Sequence, residues 1–303
     1  MNYCSFSDLN EYIVNNLHRL PHNVDLIIGL PRSGMLPANL IALYLNKPYT
    51  DIDSFIRGHI YGTGERGSII DVDGVNKVLV VDDSINNGTA LKKAKVKLHD
   101  LTDRYSFMYA AIIATEKSKN LVDYYCAIVP NPRFFQWNIF HHPLYIPNAC
   151  FDIDGVLCED PIIDDDGPIY QEYIKKAPPK YIPTAEIHTL VTCRLEKYRS
   201  ITEDWLKRNN VKYKHLVMLN MNTREERLKW GKHGEFKGWV YKNSNTVLFV
   251  ESSLSQAKKI VKIAKKPVFC VETHSLLQPN IIERYLCIVR RKLKMFGMRY
   301  FPK

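Results

Sequence analysis

The sequence predicts an α/β chain built from two successive parallel-sheet domains and closed by a basic amphipathic helix. Three observations carry this expectation. Apolar runs of strand length alternate with helix-like segments from the start of the chain, which implies parallel strands joined by crossover helices. The 303 residues suit two domains, and 46% hydrophobic residues supply a core for each. Acidic and glycine-bearing turns fall at the ends of the strand-like runs, where open parallel sheets place their binding sites.

Composition narrows the function classes. No stretch approaches the roughly 20 apolar residues of a membrane span. The opening MNYCSFSDLNEY lacks a basic region followed by an apolar one, so no secretory signal is expected. Seven cysteines are scattered without a C-x-x-C pair. That argues against a disulfide framework or a zinc site and for a reducing, cytoplasmic setting. The net charge of +10 is concentrated in residues 279–303, where Arg284, Arg290, Arg291, Lys292, Lys294, Arg299 and Lys303 face the single acid Glu283.

In the first half, VDLIIGL (24–30) reads as a buried strand, followed by PRSG and the helix-like MLPANLIALYL. Glycine-rich and polar, RGHIYGTGERGSIIDVDG (57–74) reads as a lid. NKVLVVDD (76–83) is a second buried strand, ended by Asp82 and Asp83, then by the turn SINNGTA and a helix. MYAAIIAT and DYYCAIVP are further strands. Backbone N–H groups in a turn that opens a helix cradle a phosphate monoester, and two carboxylates beside it accept hydrogen bonds from a diol. Together they describe a grip for ribose 5-phosphate. In GLPRSG, Gly29 and Gly34 permit close backbone approach and Arg32 offers a fork for a second anion.

VLVVDDSINNGTAL closely resembles the phosphoribosyl diphosphate (PRPP) signature of type I phosphoribosyltransferases, and the resemblance spans roughly residues 20–130. It implies that Asp82 and Asp83 hold the ribose hydroxyls and that Ser84, Ile85, Asn86, Asn87, Gly88 and Thr89 hold the 5-phosphate. Arg32, Ser33 and Gly34 would form the pyrophosphate loop and 57–74 the catalytic loop. Two departures stand out: Thr89 follows Gly88 directly where the family has Gly-x-Thr, and Pro31 precedes Arg32.

In the second half, FDIDGVL (151–157) sets Asp152 and Asp154 on one side of a strand end. One carboxylate can attack phosphorus while the other handles the leaving-group proton. IHTLVTCR is a strand ending in Thr192, and TVLFVESSLSQAKKIVKIA is a strand ending at Glu251, then a helix. In this order the pieces resemble haloacid dehalogenase-like phosphatases, over about residues 148–275. The resemblance implies Asp152 as nucleophile and Asp154 as general acid, then base. Thr192 and Lys242 would hold phosphoryl oxygens, with Lys237 a second candidate for the lysine. Asp152, Glu251 and the backbone carbonyl of Asp154 would hold Mg²⁺. EDPIIDDDG (159–167) reads as a solvated acidic loop.

The join NPRFFQWNIFHHPLYIPN (131–148) is dense in aromatics and suits packing between domains or a platform for an acceptor; His141 and His142 lack a third metal ligand. In the tail, Ile282, Leu286, Val289, Leu293 and Phe296 share one helix face. That helix either docks on its own domain or lies on an anionic membrane surface.

The expected organisation is a phosphoribosyltransferase-like domain (1–147), a phosphatase domain (148–278), both Rossmann-like, and the basic helix (279–303). A transferase that leaves a 5-phosphate, followed by a phosphatase that removes it, yields a plain ribofuranosyl group. The order of domains resembles dual-domain ribofuranosyltransferases of bacterial surface-polysaccharide assembly. That resemblance implies a lipid-linked glycan acceptor at the inner face of the cytoplasmic membrane and no nucleic-acid partner. Two alternatives are a nucleobase phosphoribosyltransferase coupled to a nucleotidase and a PRPP-sensing regulator that binds nucleic acid. Asp71 and Asp73 are the candidates for the acceptor's general base.

Overall fold

The computed structural model describes residues 1–61, 74–162 and 166–279. Asp71 and Asp73, most of the 57–74 lid and the basic C-terminal segment lie outside the described residues. The chain divides into two compact units, Met1–Trp137 and Asn138–Lys303. The division falls before the boundary expected at 147/148, because the segment after Trp137 packs with residues further along the chain. Phe140 stacks face to face on Tyr181 with ring centroids 4.2 Å apart.

In the first unit the strands are β1 (Asn2–Cys4), β2 (Leu26–Gly29), β3 (Tyr49–Asp51), β4 (Lys77–Ser84), β5 (Ser106–Ala114), β6 (Tyr124–Ile128) and β7 (Arg133–Phe135). The helices are α1 (Phe6–Asn16), α2 (Met35–Leu45), α3 (Ile52–Ile56) and α4 (Thr89–Lys97). Ser5 starts α1 through a capping box, its hydroxyl accepting the Asp8 N–H while the Asp8 carboxylate accepts that of Ser5. The five-stranded sheet has the order β3-β2-β4-β5-β6, with every pairing parallel. Its central strands are near-continuous apolar runs because both faces are covered: Leu26, Ile28, Val78 and Val80 face one core and Ile27, Leu79 and Val81 the other.

Strand order reverses between β2 and β4. The chain leaves β2 towards β3 on one side and returns to β4 on the other, which opens a crevice above their carboxyl ends. The GLPRSG turn and the Asp82-Asp83 turn therefore share that crevice. The Leu30 N–H donates to Val81 O at 2.9 Å, and the Pro31–Arg32 peptide between them is cis. A separate two-stranded parallel sheet pairs β1 with β7.

The second unit contains β8 (Ala149–Phe151), α5 (Pro168–Lys176), β9 (Ile187–Leu195), α6 (Arg199–Arg208), β10 (Tyr213–Leu219), α7 (Arg224–Trp230), α8 (His233–Asn243), β11 (Leu248–Glu251), α9 (Leu254–Ala264), β12 (Val268–Cys270) and β13 (Ser275–Leu277). Its sheet order is β10-β9-β8-β11-β12-β13, parallel except for the β12–β13 pair. Register sets Phe151 opposite Val250, so Asp152 and Glu251 emerge side by side from adjacent strand ends. The order reverses here too, between β8 and β11.

Gly34 is where the first crevice is tightest. A Cβ there would lie 2.6 Å from Leu30 O, 2.8 Å from Val81 O and 3.0 Å from the Asp82 Cα. Gly34→Ala is expected to cost about 1–3 kcal/mol through overpacking. Urea denaturation measures this, and an unchanged midpoint would contradict so close an approach of the two loops.

Candidate functional site

The crevice between β2 and β4 collects the residues that the first motif singles out. Asp83 is buried, and its backbone N–H donates to the Asp82 carboxylate at 2.9 Å. Burial and the neighbouring Asp83 carboxylate push the Asp82 carboxyl up to about 8. Asp82 is therefore disposed to keep a proton at neutral pH. The adjoining turn is braced from outside. Arg133, buried, donates to Ile85 O at 2.8 Å, as does the Ser118 hydroxyl at 3.0 Å. Asn86 accepts from the Asn131 side chain. Gly88 takes a left-handed φ of 74°, which an L side chain resists. The Asn87 carboxamide oxygen accepts from both the N–H and the hydroxyl of Thr89 at the start of α4. Ser84 is half-buried at the end of β4, while Arg32 and Ser33 stand at the more open rim.

Sequence reasoning missed Trp137 here. Its indole N–H donates to Asp83 Oδ2 at 2.9 Å, and its ring lies parallel to Phe135 at 4.6 Å and tilted against Phe6. A partly buried indole N–H usually finds an acceptor, and that was the available signal. With Phe135 against its ring, Trp137 is built into its own unit, where the sequence suggested a platform for an acceptor.

The second site gathers at the ends of β8, β9 and β11. Lys237 Nζ donates to Asp152 Oδ2 at 2.6 Å and to Glu251 Oε2 at 2.8 Å, and all three residues are buried. Burial, the largest influence, pushes the Asp152 carboxyl well up, while the Lys237 ammonium pulls it back. Burial works against the charge on Lys237, but Asp152 and Glu251 outweigh it and hold its pKa high. Thr192 is fully buried, its hydroxyl accepting the Arg194 N–H. Gly155 turns the chain away with φ 72°, and a Cβ there would meet the Ser252 side chain at 2.5 Å.

Lys242 is not part of this cluster. It is exposed, with its ammonium 4.6 Å from the Trp239 ring centroid. Five residues along a helix is a turn of about 140° to another face, so only one of the two lysines can point inward. Gly234 and Gly238 mark the inward face. A Cβ on either would come within 3.0 Å of the Lys259 or Ile263 side chain on α9, and Lys237 sits in that stripe. The G-x-x-x-G spacing was the signal for choosing Lys237. Arg194, also unforeseen, is buried and forks onto Asp154, with Nη2 to Oδ1 at 2.6 Å and Nε to Oδ2 at 3.1 Å.

Among the described residues no group of three or more His, Cys, Asp or Glu side chains could hold a metal. Asp152 and Glu251 nevertheless provide two hard oxygen donors. With one ammonium between two carboxylates, the trio when ionised leaves one negative charge out of water. Two carboxylates fit Mg²⁺, which keeps several of its waters. The Asp154 side chain is occupied by Arg194. His141 approaches Thr184 at 3.4 Å and His142 packs on Tyr145. Among the described residues every cysteine is free, and no helix is long and apolar enough to cross a membrane.

Residues 5–147 match the family described as the phosphoribosyl transferase domain; this part of the chain is a type I phosphoribosyltransferase domain. Similar solved structures include the xanthine-guanine-hypoxanthine phosphoribosyltransferase of Helicobacter pylori, at 16% identity over 46% of this chain and 92% of that chain, TM-score 0.34. The purine phosphoribosyltransferase of Pyrococcus horikoshii Ot3 is 18% identical over 54% of this chain and 98% of that chain, TM-score 0.35. None of the curated proteins matches the chain.

Two variants test the geometry. Lys237→Met should cost about 3–5 kcal/mol, because two buried carboxylates lose their counter-charge, whereas Lys242→Met should stay within about 0.5 kcal/mol. Equal urea midpoints for the two would refute the burial of Lys237. Asp82→Asn should raise the melting temperature. An acid whose pKa is raised on folding loses stability as pH climbs from the ordinary carboxylate range towards the folded value, about 8 here. The gain should therefore be larger near pH 8 than near pH 5, and calorimetry at the two pH values measures it.

Proposed function

We propose that the chain is a bifunctional ribofuranosyltransferase. It moves 5-phosphoribose from PRPP to a glycan hydroxyl, then removes the 5-phosphate. The observation that carries this reading is the buried Asp152–Lys237–Glu251 cluster at adjacent strand ends, in one chain with a phosphoribosyltransferase domain. A transferase alone has no use for a second, phosphate-directed site.

In the first step the acid pair orients the ribose and the 84–89 turn holds its phosphate. Arg32 draws charge from the departing pyrophosphate while C1 gains oxocarbenium character. The acceptor hydroxyl enters opposite the leaving group, so an α-configured donor gives a β-ribofuranoside. In the second step Asp152 attacks phosphorus, the bond from phosphorus to the C5 oxygen breaks, and Asp154 as general acid gives that oxygen its proton. Lys237 and Thr192 stand for the phosphoryl oxygens. Asp154, held by Arg194, then acts in this reading as the base that takes a proton from the water that cleaves the aspartyl-phosphate. Mg²⁺ bound by Asp152 and Glu251 would neutralise phosphoryl oxygens there. The acceptor in this reading is lipid-linked, and the basic C-terminal segment draws the protein to an anionic membrane face.

The test is incubation with PRPP, Mg²⁺ and candidate acceptors, read by mass spectrometry. Asp152→Ala should accumulate an adduct about 80 Da heavier than the wild-type product, one phosphoryl group whose removal the nucleophile begins. An unphosphorylated ribofuranoside from that variant would refute the sequence of steps. An ultraviolet-absorbing nucleoside from the wild type would assign a nucleobase acceptor instead. Salt-dependent nucleic-acid binding without pyrophosphate release would point to a regulator.

A further inference from the structure

We infer that Trp137 is a positioning residue for the donor site: its indole N–H fixes Asp83 as the acceptor half of the grip on the ribose diol. The inference rests on the reading of the β2/β4 crevice as a PRPP site. An N–H aimed at a carboxylate is among the stronger hydrogen bonds, and Asp83 receives this one at 2.9 Å with its side chain out of water. The contact joins residues 54 apart in sequence, so it is made by the fold and not by the turn.

The surroundings of the indole serve this contact. Phe135 stacks on it with 1° between the ring planes, and Phe6 closes against it at 5.6 Å. Phe135 is held by the β1–β7 pair, in register with Cys4, and the Phe6 N–H donates to Gln136 Oε1 at 2.9 Å. The small β1–β7 sheet, which is no part of the main sheet, thus sets the depth and angle of one N–H group. The two acids consequently differ. Asp83 takes the indole donor, while Asp82 takes the backbone N–H of its neighbour. The raised pKa of Asp82 fits the same division. Adjacent ribose hydroxyls, each both donor and acceptor, then meet two acids that the fold holds by different donors.

Trp137→Phe keeps the stack on Phe135 and removes the N–H. Its affinity for PRPP with Mg²⁺, by calorimetry, should fall about 10- to 100-fold, the range expected for a hydrogen bond to a charged group. Affinity for inorganic pyrophosphate, which has no diol, should stay within about twofold. Replacing Trp137 by naphthylalanine, a bicyclic ring without the N–H, should reproduce the loss even if the smaller phenylalanine disturbs folding. On an Asp83→Ala background, which has no side-chain acceptor for the indole, Trp137→Phe should add no further loss. Unchanged PRPP affinity, equal losses for PRPP and pyrophosphate, or additive losses in the double variant would each overturn the assignment. A wild-type protein that bound no PRPP would overturn the donor-site reading and this assignment with it.

Discussion

Lys237 stands between Asp152 and Glu251, at 2.6 and 2.8 Å, with all three out of water. Each of these groups alone would cost several kcal/mol to bury, and together they persist only if the geometry is held closely. Much of the second unit is shaped by that requirement. The β8–β11 register brings the two acids abreast. Gly234 and Gly238 let α8 settle against α9 so that the ammonium reaches both, and Gly155 turns the chain away before a side chain could crowd Ser252.

The first unit handles the same physical problem with different chemistry. Asp82 and Asp83 also meet at a parallel strand end, where a backbone N–H and an indole N–H, not an ammonium, are the donors among the described residues. Burial and the neighbouring carboxylate raise the pKa of Asp82, and the indole of Trp137 donates to Asp83. The braces on the Ile85 carbonyl, from Arg133 and Ser118, hold the adjoining turn in place.

The two sites also differ in how their residues are joined. In the first, the acids and the phosphate turn are consecutive in sequence, and one strand–turn–helix unit carries them. In the second, a strand end, a helix interior and another strand end contribute one residue each. A change within the first motif therefore disturbs a single turn, whereas the second site depends on the docking of α8 across its sheet.

The strand–turn–helix units and the acids that end their strands were determined locally. Apolar runs such as VLVV and VLFV dictate buried parallel strands, and an acid that closes such a run must emerge at the strand's carboxyl end. Asp82, Asp83, Asp152 and Glu251 were legible for that reason, as were the loops that face them. Which cations and donors would meet those acids was not legible. Lys237 and Lys242 are alike as residues, and only the docking of α8 on α9 decides which is buried. Arg194 reaches Asp154 across 40 residues and Trp137 reaches Asp83 across 54. Strand ends are set by neighbours in sequence, but the partners of a buried charge are set by neighbours in space, and those exist only once the sheets have closed.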